Sequence, residues 1–167
     1  MSDHRLRPAV VGDLPTILRA ERDYVAAVEP AQLTPWTAAI DRNLALWIAC
    51  LDRTTVLELD DGTGPATAGF VMWMPDGDAG VPGDGPAVPS ATLITLQVLP
   101  THRRRGLGTR LLETFATQAG AAGARVLRLG VHEANPARGL YPQAGYVLVG
   151  RNGDYLLYER AAPPSRA

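Results

Sequence analysis

The stretch from residue 91 to 132 constrains this chain more than any other part of it. It reads ATLITLQVL, PTHRRRGLG, TRLLETFATQAGAAGA and RVLRLGVH in succession. The first and last segments are almost continuously apolar, the pattern of strands buried on both faces. Between them Leu107, Leu111, Phe115 and Ala119 recur at helical spacing, and the helix runs out among Gly120 and Gly123. Strand, helix, strand over this length makes the two strands parallel neighbours joined by a right-handed crossover. A parallel pair needs helices on its faces, so the chain is expected to build an α/β or α+β domain around a mixed central sheet.

The turn that leaves the first of these strands carries the charge. Arg103, Arg104 and Arg105 precede Gly106 and Gly108 at the start of the helix. A helix N-terminus presents free backbone N–H groups and the positive end of its dipole, and glycines let an anion approach them. The pattern fits a phosphate or pyrophosphate. It is not a nucleotide P-loop, for the Lys-Ser/Thr ending is missing. It is not a full dinucleotide fingerprint either, because Leu111 stands where the third glycine belongs. The formal net charge of the chain is −1, so the cluster is local. Without a basic face or interleaved aromatics it is no nucleic-acid footprint, and nothing draws the chain to membranes.

The flanking elements follow from local pattern. HRLRPAV alternates and carries Pro8, which suits an edge strand. Asp13 is placed to cap a helix with Leu14, Ile17, Leu18, Val25 and Val28 on one face, stopped by Pro30. Thr34-Pro35 signals the start of a second helix, whose stripe is Ile40, Leu44, Trp47, Ile48 and Leu51. Residues 54–74 read as strand, turn, strand around DDGTGP. Residues 75–90 hold four prolines, four glycines and three aspartates, which predicts a flexible surface loop. Asn135-Pro136 opens a very short helix that Pro142 must end, and GYVLVG, RNGD and YLLYE form a closing pair of strands. The order is β-α-α-β-β-β-α-β-α-β-β, about six to seven strands with about four helices. One domain is expected over 1–160, with 161–167 a disordered tail.

Composition closes off several chemistries. The 16 Lys-plus-Arg residues are all arginine, so no lysine serves as nucleophile or Schiff base. Cys50 is the only cysteine, which excludes an intramolecular disulfide and a Cys-rich zinc site. It sits in an apolar helical run that marks a core thiol. No metal site is expected. No apolar run reaches the ~20 residues of a membrane span, and MSDHRLRPAV lacks the apolar region of a signal peptide. The expected location is cytoplasmic.

Taken together, LQVLPTHRRRGLGTRLLETF and LRLGVHEANPARGLYPQAGYVLVG resemble the two signatures of the GNAT N-acetyltransferase superfamily. The first is similar to Arg/Gln-x-x-Gly-x-Gly/Ala after a strand ending in Val-x-Pro. The second is similar to the family's later strand, Asn-containing turn, Leu-Tyr helix and Gly-Phe/Tyr strand. The element order agrees over roughly residues 5 to 160. The resemblance implies a GNAT-like sheet splayed between its two parallel central strands, and acetyl-coenzyme A (acetyl-CoA) as co-substrate. It implies that the pyrophosphate lies on the backbone N–H groups of Arg104, Arg105, Gly106, Leu107, Gly108 and Thr109. The side chains of Arg103, Arg104, Arg105 and Thr109 would add donors. The pantetheine arm would bond backbone groups around Gln97 and Val98 in the manner of an added strand.

Asn135 would belong to the cofactor site, and Tyr141 would protonate the departing thiolate. A phenol with a pKa near ~10 stays protonated at neutral pH. The step from Asn135 to Tyr141 is one residue shorter than the family's: either the turn is shortened or Ala134 holds the Asn position. Pro142 also disfavours helical geometry at Tyr141.

Many relatives place a Glu on the strand before the loop, whereas ATLITLQVL has no carboxylate. Thr92 or Thr95 could hold a relaying water, and Glu21, Asp23, Glu29, His132 and Glu133 are the nearby acid–base candidates. Trp36, Trp73 and Tyr24 are candidates for lining an acceptor pocket, and Trp47 for the core. The function implied is acetyl transfer to a primary amine by direct attack, a small-molecule amine being favoured over a protein N-terminus. The alternative is a non-catalytic acyl-CoA-binding sensor or accessory protein, which the missing strand carboxylate and altered spacing would suit. Acceptor identity, acyl chain length, and a monomeric or homodimeric state stay open.

Overall fold

The structure, a computed structural model, describes residues 3–76 and 88–165. Among the described residues seven strands are present: β1 (Asp3–Pro8), β2 (Thr54–Asp60), β3 (Pro65–Pro75), β4 (Ser90–Val98), β5 (Val126–His132), β6 (Val147–Asn152) and β7 (Tyr155–Ala161). The helices are α1 (Leu14–Val28), α2 (Leu33–Ala38), α3 (Ile40–Ala49), α4 (Leu107–Ala121) and the single turn α5 (Leu140–Gln143). The strands form one sheet in the order β1-β2-β3-β4-β5-β7-β6. Every neighbouring pair is antiparallel except β4–β5, the parallel pair expected around the α4 crossover. β1 lies at the sheet edge, where the missing N–H of Pro8 costs no ladder bond.

The period of two along β3 divides the interior into two layers. Phe70 and Met72 point to one face, where Ile17, Trp47, Cys50 and Val56 complete a core beneath α1 and α3. Val71 and Trp73 point to the other, against Leu111, Leu112 and Phe115 of α4. Trp47 is therefore core, as its stripe predicted. Trp73 is core too, its indole Nε1 donating to Gln118 Oε1 at 3.0 Å, and it does not line the acceptor side. At Gly69 a Cβ would come within 2.5 Å of the Gln97 carbonyl oxygen. Only glycine lets β3 and β4 approach this closely.

Three local expectations are corrected by the structure. Asp13 stands at the N-cap of α1, yet its carboxylate turns back to accept two 2.8 Å bonds from the Arg7 guanidinium and one from the Val10 N–H. A bidentate charged donor outcompetes a helix N–H, and it holds the Asp13 carboxyl below the usual carboxylate range. Thr34-Pro35 lies inside α2 instead of opening the long helix, which begins afresh at Ile40 after a break at Ala39. Pro142 does not end a helix begun at Asn135. It lies within α5, in the first turn, where a missing N–H leaves no intrahelical bond unmade.

The expected disordered tail is also ordered as far as residue 165. Ala161 still pairs with Val126, the Ala162 N–H bonds the Arg125 carbonyl at 2.9 Å, and Pro163 packs over Gly120. The loop predicted over 75–90 begins and ends in strands at Pro75 and Ser90. Its segment 77–87 lies outside the described residues.

Candidate active site

The parallel pair is short. Ser90, Ala91 and Thr92 pair with Val126, Leu127 and Arg128, and there the ladder stops. Beyond Thr92, β4 stays with β3 as far as Val98, while β5 stays with β7 as far as His132. A register shift at Ile94, where β4 takes one residue more than β3, turns the strand at the point of divergence. The result is a wedge-shaped cleft of about 230 Å³ with the free edge of β4 along one wall.

The loop at the end of that edge has the backbone of an anion site. Arg104 has φ 65° and Gly106 has φ 74°, both in the left-handed region. Successive residues of this kind turn their N–H groups toward one concavity. Gly106 is the N-cap of α4, and no side chain caps the helix, so its first N–H groups and dipole end are free. Arg104, Arg105, Gly106 and Thr109 are exposed. Leu107 offers only its backbone, because its side chain is in the core at 4% exposure. Gly108 faces inward, where a Cβ would lie 3.3 Å from Leu140. Arg103 Nε donates to the Val98 carbonyl at 3.0 Å and so secures the strand end. The residues present therefore fit a pyrophosphate by geometry as well as charge.

Tyr141 enters the cleft from α5. It is 6% exposed, and burial pushes its phenol up to about 12. The proline that follows leaves it helical, held edge-on to Tyr146 with ring centroids 6.2 Å apart. Asn135 lines the same cleft, but its side chain is engaged: Oδ1 accepts from the Ala137 N–H at 2.8 Å and Nδ2 donates to the Tyr24 hydroxyl at 3.3 Å. Gln97 is buried, and its side chain also faces the cleft.

The carboxylate that the strand lacks arrives from the helix. Glu21 of α1 accepts hydrogen bonds from the Thr95 hydroxyl and from Gln97 Nε2, the latter at 3.1 Å. Desolvation in this position raises its pKa above the ordinary glutamate value, against the opposing pull of the two hydrogen bonds. Just past the end of α1, Glu29 accepts a bond from the Tyr155 hydroxyl, and His132 Nε2 lies 4.0 Å from it. The other candidates point elsewhere. Thr92 donates to Asp76, Asp23 pairs with Arg22, and Glu133 pairs with Arg151. Tyr155 was not singled out by the sequence reading. The RNGD turn only sets it across from Asn152, and it is the pairing of β7 with β5 that brings it opposite His132.

A sequence profile of the acetyltransferase (GNAT) family matches residues 19–146. The chain belongs to this family. No curated protein sequence matches it. Among solved structures it is similar to the PaiA N-acetyltransferase of Thermoplasma acidophilum in complex with coenzyme A, with a TM-score of 0.69 and 15% identity over 95% of this chain and 99% of that one. It is similar to the NAA60 protein of Arabidopsis thaliana in complex with acetyl-CoA, at 0.66 and 17% over 95% and 99%. It is also similar to an acetyltransferase from Thermus thermophilus, at 0.63 and 26% over 95% and 96%. The splayed sheet of this GNAT domain is thus the architecture its two motifs implied. Among the described residues no group of His, Cys, Asp and Glu is arranged to hold a metal, and no helix is long and apolar enough to cross a membrane.

Proposed function

We propose that this protein transfers the acetyl group of acetyl-CoA to a primary amine, a small-molecule amine in preference to a protein N-terminus. The observation that carries the reading is the free edge of β4, which leads from Tyr141 in the cleft to the uncapped N-terminus of α4. Membership of the family and the coenzyme A bound in similar structures support it. When bound, acetyl-CoA supplies an activated acyl carbon. The N–H groups from Arg104 to Thr109 would hold its pyrophosphate, with Arg104 and Arg105 adding charge. The backbone at Gln97 and Val98 would take the pantetheine arm as an extra strand. Asn135 orients Tyr24 on the opposite wall.

Proton transfer falls to two residues. Glu21 has the raised pKa and the position to accept a proton from the entering ammonium. Tyr141 keeps its proton at neutral pH, with a pKa of about 12, and can donate it to a departing thiolate. The reading as a sensor drew its weight from the carboxylate missing on β4 and from the altered Asn135-to-Tyr141 spacing. Glu21 docked on Thr95 fills that want and favours the enzyme.

The test is isothermal titration of acetyl-CoA into the native protein and into an Arg104→Ala/Arg105→Ala variant, followed by thiol release with a panel of amines. Saturable binding that weakens at least about tenfold in the variant, with turnover of some amine, is expected. A folded native protein that does not bind acetyl-CoA would sink the proposal.

A further inference from the structure

Many carboxylates of this chain are neutralised by arginines, and others, such as Asp61 and Asp76, are bonded by hydroxyls outside the cleft. Asp13, Glu58, Glu113, Glu133 and Glu159, among others, each pair with an arginine. Glu21 on α1 and Glu29 just past its C-terminus face the cleft, and among the described residues no arginine reaches either. Glu29 is 8% exposed, with the Tyr155 hydroxyl as its donor. His132 is the nearest cationic candidate, at 4.0 Å; its Nδ1 accepts from the Ala134 N–H, and its Nε2 is shared with Asp154 at 3.9 Å. A buried carboxylate without a close cation is costly. With 16 arginines in the chain and none of them on Glu21 or Glu29 among the described residues, the countercharge in this cleft is left to a ligand.

The shape of the cleft narrows the ligand. Glu29 follows the last residue of α1, eight positions after Glu21, which places the two about 12 Å apart along the helix direction. Between and opposite them Tyr24, Trp36 and Tyr155 line the wall, and aromatic faces accept both ammonium groups and methylene chains. Tyr141, itself 6% exposed, lines the cleft with a hydroxyl that has no hydrogen-bond partner among the described residues. The volume of about 230 Å³ is below the roughly 300 Å³ at which pockets for drug-sized ligands begin. That suits a slender chain.

We infer that the acceptor is a linear aliphatic di- or polyamine, its reacting nitrogen at Glu21 beside the free edge of β4 and its second ammonium at Glu29. The identity of the reacting end rests on the acetyl-transfer reading. The two-point capture of a dication does not.

The test is isothermal titration of the full chain with 1,5-diaminopentane, 1-aminopentane and 5-aminopentanoate, repeated with Glu29→Gln, whose amide oxygen can still accept from Tyr155. The diamine is expected to bind at least about tenfold more tightly than the monoamine, with the aminopentanoate weakest because its carboxylate meets Glu29. Glu29→Gln should bring the diamine down to the monoamine's level. Equal affinities, no binding of the diamine, or a preference that survives Glu29→Gln in a folded protein would overturn the inference. Should that variant not fold, the comparison of the three ligands on the native protein decides alone. A parallel titration with acetyl-CoA separates the two claims. Diamine preference without acetyl-CoA binding would sink the transferase and keep the site, and the reverse would sink this inference only.

Discussion

The Glu21 carboxylate on α1 is bound by the Thr95 hydroxyl on the part of β4 that has left its parallel partner. Helix and splayed strand are thereby joined at the mouth of the cleft, through a carboxylate held above its ordinary pKa by desolvation. A carboxyl group whose pKa is raised on folding binds more protons in the folded state than in the unfolded one. Its contribution therefore destabilises the fold as pH rises past the ordinary glutamate value. Glu21→Gln removes that dependence and can still accept from Thr95. Its Tm is expected to exceed that of the native protein at neutral pH, and the two should converge as pH falls toward about 4. Thermal unfolding of both proteins across this range checks it; a constant difference would contradict the raised pKa.

Tyr141→Phe removes a hydroxyl and leaves the ring contacts with Tyr146 and Tyr158 in place. If the phenol supplies a proton to the leaving thiolate, kcat should fall about 10²-fold, with KM for acetyl-CoA within about twofold. Steady-state thiol release, with the Tm as a control for folding, reads both. An unchanged kcat would return Tyr141 to the core.

Gly106→Ala forces a side chain into the left-handed region at φ 74° although its Cβ would meet no neighbouring atom. The cost is backbone strain of about 1–2 kcal/mol. Relief of that strain flattens the loop, so acetyl-CoA affinity should fall more than stability does. Titration and chemical denaturation of the same variant separate the two effects.

Gly69→Ala acts from outside the cleft. Its Cβ would collide with the Gln97 carbonyl at 2.5 Å, a backbone atom that cannot step aside without moving β4. The expected loss is about 1–3 kcal/mol of stability, with weaker binding of acetyl-CoA because the same strand forms the cleft wall. Denaturant unfolding measures the first and titration the second.

The sequence by itself determined the elements whose causes are local. Leu107, Leu111, Phe115 and Ala119 recur along one face and needed no neighbour to announce α4. The two apolar runs around it marked a parallel pair, and Arg103 to Gly108 marked the glycine-containing turn that opens α4. Pro8 marked the sheet edge. What only the tertiary structure decided depended on groups far apart in the chain. Asp13 reads as a cap until the β1 guanidinium of Arg7 is brought beside it. Trp73 reads as pocket or core until the period of β3 is referred to α4. No carboxylate is written into β4, and Glu21 reaches Thr95 across 74 residues. Hydrophobic period and turn chemistry act over a few residues, so they can be read from the chain. The pairing of a buried charge is settled by whichever donor the fold carries to it, and no local pattern records that.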